Sequence, residues 1–147
     1  EAFWMKAYRT LRDDPEYKVF SFTTAEAADY CYCLINSSLF WWYWISTSDC
    51  WHVSKELNGF RASMDVDYKQ ASILAKRLIS RLEETKIYVG TKQTDYEYKH
   101  KDCIDEIRAI DRFINEAFGL SYEEGLYIQN YAFKYRTSSG VEQNESD

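Results

Sequence analysis

Only one proline, Pro15, and five glycines occur in the 147 residues. That scarcity argues against a loop-rich, collagenous or disordered chain. The glycines stand at 59, 90, 119, 125 and 140, so no Gly-x-Gly is present. A dinucleotide site, an S-adenosylmethionine site or a phosphate-cradling loop needs such a turn, where backbone approaches the ligand closely. The four cysteines, at 31, 33, 50 and 103, contain no Cys-x-x-Cys pair, so neither a zinc ribbon nor a dithiol redox motif is spelled out. No signal peptide or lipid-attachment motif is visible. The longest apolar run, Leu39 to Ile45, is far short of the ~20 residues that span a bilayer. Basic excess is missing too. The net charge is −6, whereas a freestanding nucleic-acid binder is usually basic, because Lys and Arg must displace phosphate counterions. Any nucleic-acid role is therefore local, or shared with a basic partner domain.

Aromatic residues are abundant, at 18%, and Tyr leads them with 13. Tyr combines an apolar ring with a polar tip, which predicts many half-buried or interfacial positions. Four of the five Trp fall between Asn36 and Val53. This stretch joins an all-round apolar helix end, a Ser46-Thr47-Ser48-Asp49 turn and the pair Trp51-His52. Trp41, Trp42 and Trp44 are expected in the core. Cys31 and Cys33 lie in a helical pattern and would point ~200° apart around it. The cysteines are read as reduced, buried thiols of a cytoplasmic protein.

The periodicities predict an α+β domain over residues 1–137, followed by a disordered acidic tail over 138–147. The tail carries Glu142, Glu145 and Asp147, half of the net charge. Strands are expected near 17–22, 51–60, 86–90 and 94–99, the last two as a hairpin, in a small mixed or antiparallel sheet. Helices are expected over 23–46, 67–84, 102–118 and 121–131. Their ends carry signals: capping boxes at Thr23-x-x-Glu26 and Ser121-x-x-Glu124, Asp67 as a cap, and Gly119 as a left-handed C-terminal cap. Asn58-Gly59 is expected to form a turn with positive φ. The chain opens directly on a patterned segment at Glu1, which suggests a piece of a longer protein.

Enzyme chemistry finds little footing. Ser46, Ser48 or Cys50 beside His52 resembles a nucleophile and base, but the i, i+2 spacing fits no known triad, and an aromatic packing corner explains it better. Zinc ligation by Cys50, His52, His100 and Cys103 has no family spacing behind it. The acids Asp102, Asp105 and Glu106 sit where helix-start acids favour the dipole. No catalytic residue, bound cofactor or metal is expected. Binding chemistry is more plausible. Trp51, His52 and Lys55 set a stacking ring, a donor/acceptor and a cation close together. Lys92, Lys99, His100 and Lys101 cluster at the hairpin ends. Over 86–101, Lys86, Lys92, Lys99 and Lys101 stand against Asp95 and Glu97, a balance of +2. Interleaved aromatics and cations suit base and phosphate contacts, and equally suit an ordinary solvated hairpin.

Two stretches carry a family resemblance. The first runs Leu34-Ile-Asn-Ser-Ser-Leu-Phe-Trp-Trp-Tyr-Trp and on through Ser48-Asp-Cys-Trp-His-Val-Ser-Lys-Glu-Leu. The second includes Ile110-Asp-Arg-Phe-Ile-Asn-Glu-Ala-Phe-Gly-Leu-Ser-Tyr-Glu-Glu and Asn130-Tyr-Ala-Phe-Lys-Tyr-Arg. Together they cover about half of the chain, and they resemble the C-terminal, TaqI-like target-recognition region of adenine-specific DNA methyltransferases from type II (IIG-like) restriction-modification systems. The family's catalytic Asn-Pro-Pro-Tyr is absent, as Pro15 is the only proline. The resemblance thus implies a recognition fragment that is not catalytic alone. In its parent, S-adenosylmethionine would donate a methyl group to the exocyclic amine of a flipped adenine, and the resemblance leaves room for a fused endonuclease. The partner implied is double-stranded DNA, gripped together with the missing catalytic domain. Ser48, Trp51, His52 and Lys55 are the residues expected near base edges, and Lys92, Lys99 and Lys101 are phosphate candidates. The competing reading is a protein-interaction or scaffolding domain with an exposed aromatic surface, and no membrane in either case.

Overall fold

The structure, a computed structural model, describes residues 7–9, 17–48, 54–92 and 95–136; for 54–56 and 132–136 it describes the backbone only. It is an α+β fold dominated by helices: α1 (Ala25–Asn36), α2 (Ser38–Thr47), α3 (Ser54–Gly59), α4 (Tyr68–Thr85), α5 (Ile104–Ala117) and α6 (Tyr122–Arg136). Two short strands, β1 (Ile87–Tyr88) and β2 (Tyr96–Glu97), pair antiparallel, Ile87 with Glu97 and Tyr88 with Tyr96. A 3-10 turn, His100–Cys103, leads into α5. Among the described residues no helix is long and apolar enough to cross a membrane. The tail expected over 138–147 lies outside the described residues.

The core forms where α1, α4 and α5 pack together and α2 and α6 close over them. α4 contributes Ala71, Leu74, Ala75, Leu78 and Leu82, spaced three and four apart, so one stripe faces inward. α5 contributes Ile107, Ile110 and Ile114 in the same way. The α4 C-terminus lies beside the α5 N-terminus, where Thr85 Oγ1 meets Cys103 Sγ at 3.9 Å and Arg81 approaches Glu106 at 4.0 Å. At the other end the Tyr30 ring bridges Tyr68 and Phe113, edge-on to each. The two helices therefore run antiparallel. Trp41 and Trp44 are buried and Trp42 packs at the core margin, as the all-round apolar pattern implies.

Several helix ends follow their sequence signals. Asp67 accepts from Gln70 N–H at 3.1 Å. Ser121 and Glu124 satisfy each other, with Glu124 N–H donating to Ser121 Oγ (3.1 Å) and Ser121 N–H to Glu124 Oε1 (3.0 Å). Gly119 takes φ +67, with its own N–H on Glu116 O and Leu120 N–H on Asn115 O, a complete Schellman termination of α5.

Six expectations are corrected. The helix foreseen over 23–46 is two helices broken at Ser37, which has extended backbone (φ −75, ψ 153). Ser37 serves both neighbours: its hydroxyl donates to Leu34 O (2.6 Å) and accepts from Phe40 N–H (3.2 Å). Apolar periodicity continues through the break, so the pattern hides it. The cap of α1 is Thr24, accepting from Ala27 N–H, not Thr23 paired with Glu26. Residues 17–22 form no strand; they are mostly exposed, with Val19 62% accessible, and no described strand pairs with them. β-Rich composition creates a strand only where a ladder partner exists. In the stretch 51–60, residues 54–59 are helical rather than β, because Lys55, Glu56 and Leu57 favour one helical turn and the apolar pair Leu57 and Phe60 repeats at i, i+3. Asn58-Gly59 accordingly closes that turn, and Gly59 is not among the positive-φ glycines. The hairpin survives, but shortened from 86–90 and 94–99 to two residues per strand.

One contact locks this arrangement. Asp111, in the middle of α5 and 2% exposed, accepts from Ser38 N–H (2.7 Å) and from Ser38 Oγ (2.7 Å), 73 residues away in sequence. The carboxylate thus meets the N-terminus of α2, where free N–H groups and the helix dipole favour negative charge. Asp111→Ala would leave both donors buried without this acceptor. We expect a loss of about 3 kcal/mol, or about 10 °C in Tm for a domain of this size, measured by thermal unfolding. Asp111→Asn keeps one acceptor and offers a donor to Ser38 Oγ, so about half of that loss is expected.

Candidate nucleic-acid interface

The residues that the sequence marks for DNA contact divide into two groups. Ser48 caps the C-terminus of α2, with its N–H on Trp44 O at 3.0 Å, and is half-buried. Lys55 lies on α3; Trp51 and His52 lie outside the described residues. This end is packed by Phe60, which follows α3 and meets Tyr43 (4.7 Å between ring centroids), Phe40 (5.4 Å) and Phe118 (5.3 Å). Phe118 caps the α5 C-terminus. Lys92, Lys99 and Lys101 belong to the hairpin and the 3-10 turn at the α5 N-terminus. The 14 residues of α5 therefore separate the two groups by roughly 20 Å, at 1.5 Å per residue. They do not form one cluster.

At the hairpin end the lysines are not equivalent. Lys99 Nζ lies 3.1 Å from Glu97 Oε1, and its side chain is only 22% exposed. Its charge is largely answered within the protein. Lys86, which was not singled out in the sequence, donates to Glu83 Oε2 at 2.7 Å and sits 4.2 Å from the centre of the Tyr96 ring. The hydrogen bond to Glu83 holds its ammonium pKa above the ordinary range. Lys92 and Lys101 are exposed and make no ion pair with a described residue. His100 is buried at 3% exposure, which removes it from any phosphate contact. Sequence proximity to Lys99 and Lys101 gave no sign of that; His100 points inward because the 3-10 turn rotates it toward the core.

Glu83 anchors the hairpin base. One carboxylate oxygen takes Lys86, and the other takes the Tyr98 hydroxyl at 2.9 Å. Tyr98 also meets Tyr8 edge-on at 5.7 Å. Tyr8 is followed by Arg9, whose Nε donates to Asp29 Oδ1 at 2.7 Å; Asp29 Oδ2 accepts from Ser72 Oγ at 2.8 Å. The sequence gives no sign that Tyr98 and Glu83 are partners, since the fold brings them together across fifteen residues.

Cys50 and His52 lie outside the described residues. Cys31, Cys33 and Cys103 are free thiols. Burial pushes the Cys31 thiol from 9.0 up to about 11 and the Cys33 thiol up to about 12, and it raises Cys103 as well. Such thiols stay protonated and unreactive at neutral pH. Among the described residues no three His, Cys, Asp or Glu side chains group closely enough to hold a metal ion. No family model matches the chain, and no curated protein or solved structure is significantly similar to it.

Two predictions follow from this chemistry. The buried Cys31, Cys33 and the Tyr30 hydroxyl, which burial raises from 10.0 to about 12, keep their protons in the folded state while the unfolded chain releases them. Folded stability is then full below about pH 9 and falls as pH rises from there toward 12. Melting temperatures measured across that range should decline, and Cys33→Ala should make the decline shallower. Gly90 has φ +58, and a Cβ there would lie 3.0 Å from the Tyr88 hydroxyl. Gly90→Ala should cost about 1 kcal/mol and speed amide exchange at Val89, whose N–H bonds Asp95 O at 2.8 Å.

Proposed function

We propose that this chain is a DNA target-recognition module of an adenine-specific, S-adenosylmethionine-dependent DNA methyltransferase of a restriction-modification system. The observation that supports it most is the Ser38–Asp111 contact. Ser38 belongs to the Asn36-Ser37-Ser38-Leu39-Phe40 stretch, and Asp111 to the Ile110-Asp111-Arg112-Phe113 stretch. These are the two segments on which the family resemblance rests. They meet through their own polar residues, and Tyr131, near the end of the second segment, packs on Trp41 of the first, 6.4 Å between ring centroids. Residues that hold two segments together belong to scaffold, so this reading assigns them to support. DNA contact falls to residues toward the two ends of α5, Ser48 and Lys55 at one and Lys92, Lys99 and Lys101 at the other, together with Trp51 and His52, which lie outside the described residues. The methyl donor and catalytic groups come from a separate domain, which also supplies the basic wall that a chain of net charge −6 lacks.

The competing protein-interaction reading has one observation in its favour. Tyr122 and Tyr127 on α6 are 79% and 62% exposed, beside the exposed Leu126. Base-resolved mapping of adenine methylation in cells carrying the intact gene separates the two. We expect modified adenine at one recurring sequence, abolished when Lys55 and Lys99 are both changed to Glu while cofactor binding persists. Absence of methylated adenine with the unaltered gene would reject the recognition reading and favour the protein partner.

A further inference from the structure

We propose that the outward face of α6 pairs with the same face of a second copy of this chain, antiparallel about a twofold axis. The proposal stands independently of the recognition reading, since α6 holds none of the residues assigned to DNA. Of the described side chains on α6, only Gly125 and Ile128 are buried. Gly125 brings the helix so close to α5 that a Cβ there would lie 2.8 Å from Asn115 Nδ2. The Gly119 turn and the Ser121–Glu124 capping box fix where the helix starts. Its orientation is therefore set, and Tyr122, Leu126 and Tyr127 face water at 79%, 41% and 62% exposure. The Tyr127 ring is held in place by stacking on Tyr131 at 6.3 Å. The outer positions of α5 contrast with this: Asp105, Arg108, Arg112 and Glu116 are exposed and all charged. Large apolar side chains gathered on one exposed face mark a contact surface.

The order of charges along α6 selects the occupant. Its acids, Glu123 and Glu124, stand in the first turn, and its cations, Lys134 and Arg136, stand at the other end. Glu124 is engaged in the capping box. Glu123 is exposed and makes no ion pair with a described residue. At 100° per residue, positions 123, 127, 130 and 134 fall within about 60° of arc, on the side away from Gly125 and Ile128. The face thus reads acid, tyrosine, asparagine, lysine along its length. Positions 123 and 134 are ~16 Å apart in one helix, too far to answer each other. A twofold axis crossing α6 between positions 128 and 129 sets Glu123 opposite Lys134 of the second copy, and Tyr127 opposite its Asn130. Each contact occurs twice, so the pairing is self-complementary and closed. A uniformly acidic or basic partner would match one end of the face and meet its own sign at the other. The elements packed on α6 do not tilt this balance: α2 has no charged residue, and the exposed Arg112 and Glu116 of α5 have opposite signs.

The test is sedimentation velocity of the 147-residue chain over a wide concentration range, with reductant present. One helix face is far smaller than a standard interface, so the expected result is a reversible monomer–dimer equilibrium with Kd on the order of 100 µM. Tyr127→Ala should weaken the dimer roughly tenfold and leave the melting temperature unchanged, because the ring is exposed in the monomer. Glu123→Lys and Lys134→Glu should each weaken it roughly fivefold, because two attractive pairs become repulsive. The double variant should recover the affinity of the unaltered chain. Damage to α6 itself would instead add up in the double variant, since both changes oppose the helix dipole. A monomer at every concentration would overturn the proposal and leave the face to a separate domain or another partner. Assembly beyond dimers, a dimer indifferent to Tyr127→Ala or to the single charge changes, or a double variant that stays weak would overturn it as well.

Discussion

The fold depends on a carboxylate placed against the start of a helix. Asp111 receives the first N–H and the hydroxyl of Ser38, both at 2.7 Å, inside the core. A buried aspartate with no such partners would be costly, and a buried helix N-terminus with no acceptor would be costly too. Each defect resolves the other. The pairing also sets the register of α2 along α5. Once Ser38 is fixed over Asp111, Phe40 and Tyr43 reach Phe60, and Trp41 reaches Tyr131 on α6. The aromatic cluster around α2 therefore packs because one polar contact places that helix. Ser37 makes this possible from the other side. By ending α1 and beginning α2 with one hydroxyl, it turns the chain so that the α2 N-terminus points at α5. Asn36, fully buried, donates to Tyr32 O at 2.9 Å and secures the last turn of α1.

The parts of this architecture that were legible in the sequence are those decided locally. Ser121 and Glu124, Asp67, and Gly119 each act on a backbone group three to five residues away, so their spacing alone predicts the outcome. The inward stripes of α4 and α5 are legible for the same reason. What failed needed information from elsewhere in the chain. The break at Ser37 is favoured because Asp111 waits for Ser38, and nothing within ten residues says so. Tyr17 to Phe22 has strand composition, yet among the described residues the sheet has two strands, and these pair with each other. The Lys55 turn went astray by a different route. Trp51 and Val53 pulled the reading toward β, while the charged residues after them favour helix.

Site residues were legible as chemical types and not as positions. Lysines near the hairpin stand out in composition, but their availability is set by carboxylates that only the fold brings close. Glu83 lies on α4, fifteen residues from Tyr98, and answers both Tyr98 and Lys86. Glu97 answers Lys99 across a single turn of extended chain. His100 sits between two lysines in sequence and inside the protein in space. The grouping by sequence also concealed a separation: the polar corner after α2 and the hairpin lie at opposite ends of α5.

This separation bears on how an acidic chain can carry a basic contact. Electrostatic effects between exposed charges fade over about 8 Å at physiological salt. The acids at the α5 C-terminal end, roughly 20 Å along the helix axis, are therefore nearly invisible at the hairpin. Of those within range, Glu83, Glu97 and Glu84 are engaged by Lys86, Lys99 and Arg81, while Asp95 and Asp102 stand exposed near Lys92 and beside Lys101. Glu106 approaches the same Arg81. The carboxylates of Glu83, Glu84 and Glu97 are thus taken up by internal ion pairs, and the turn keeps Lys92 and Asp95, one charge of each sign. Net charge describes the chain as a whole and decides its solubility and long-range steering. Local pairing decides which charges an exposed segment presents to a partner.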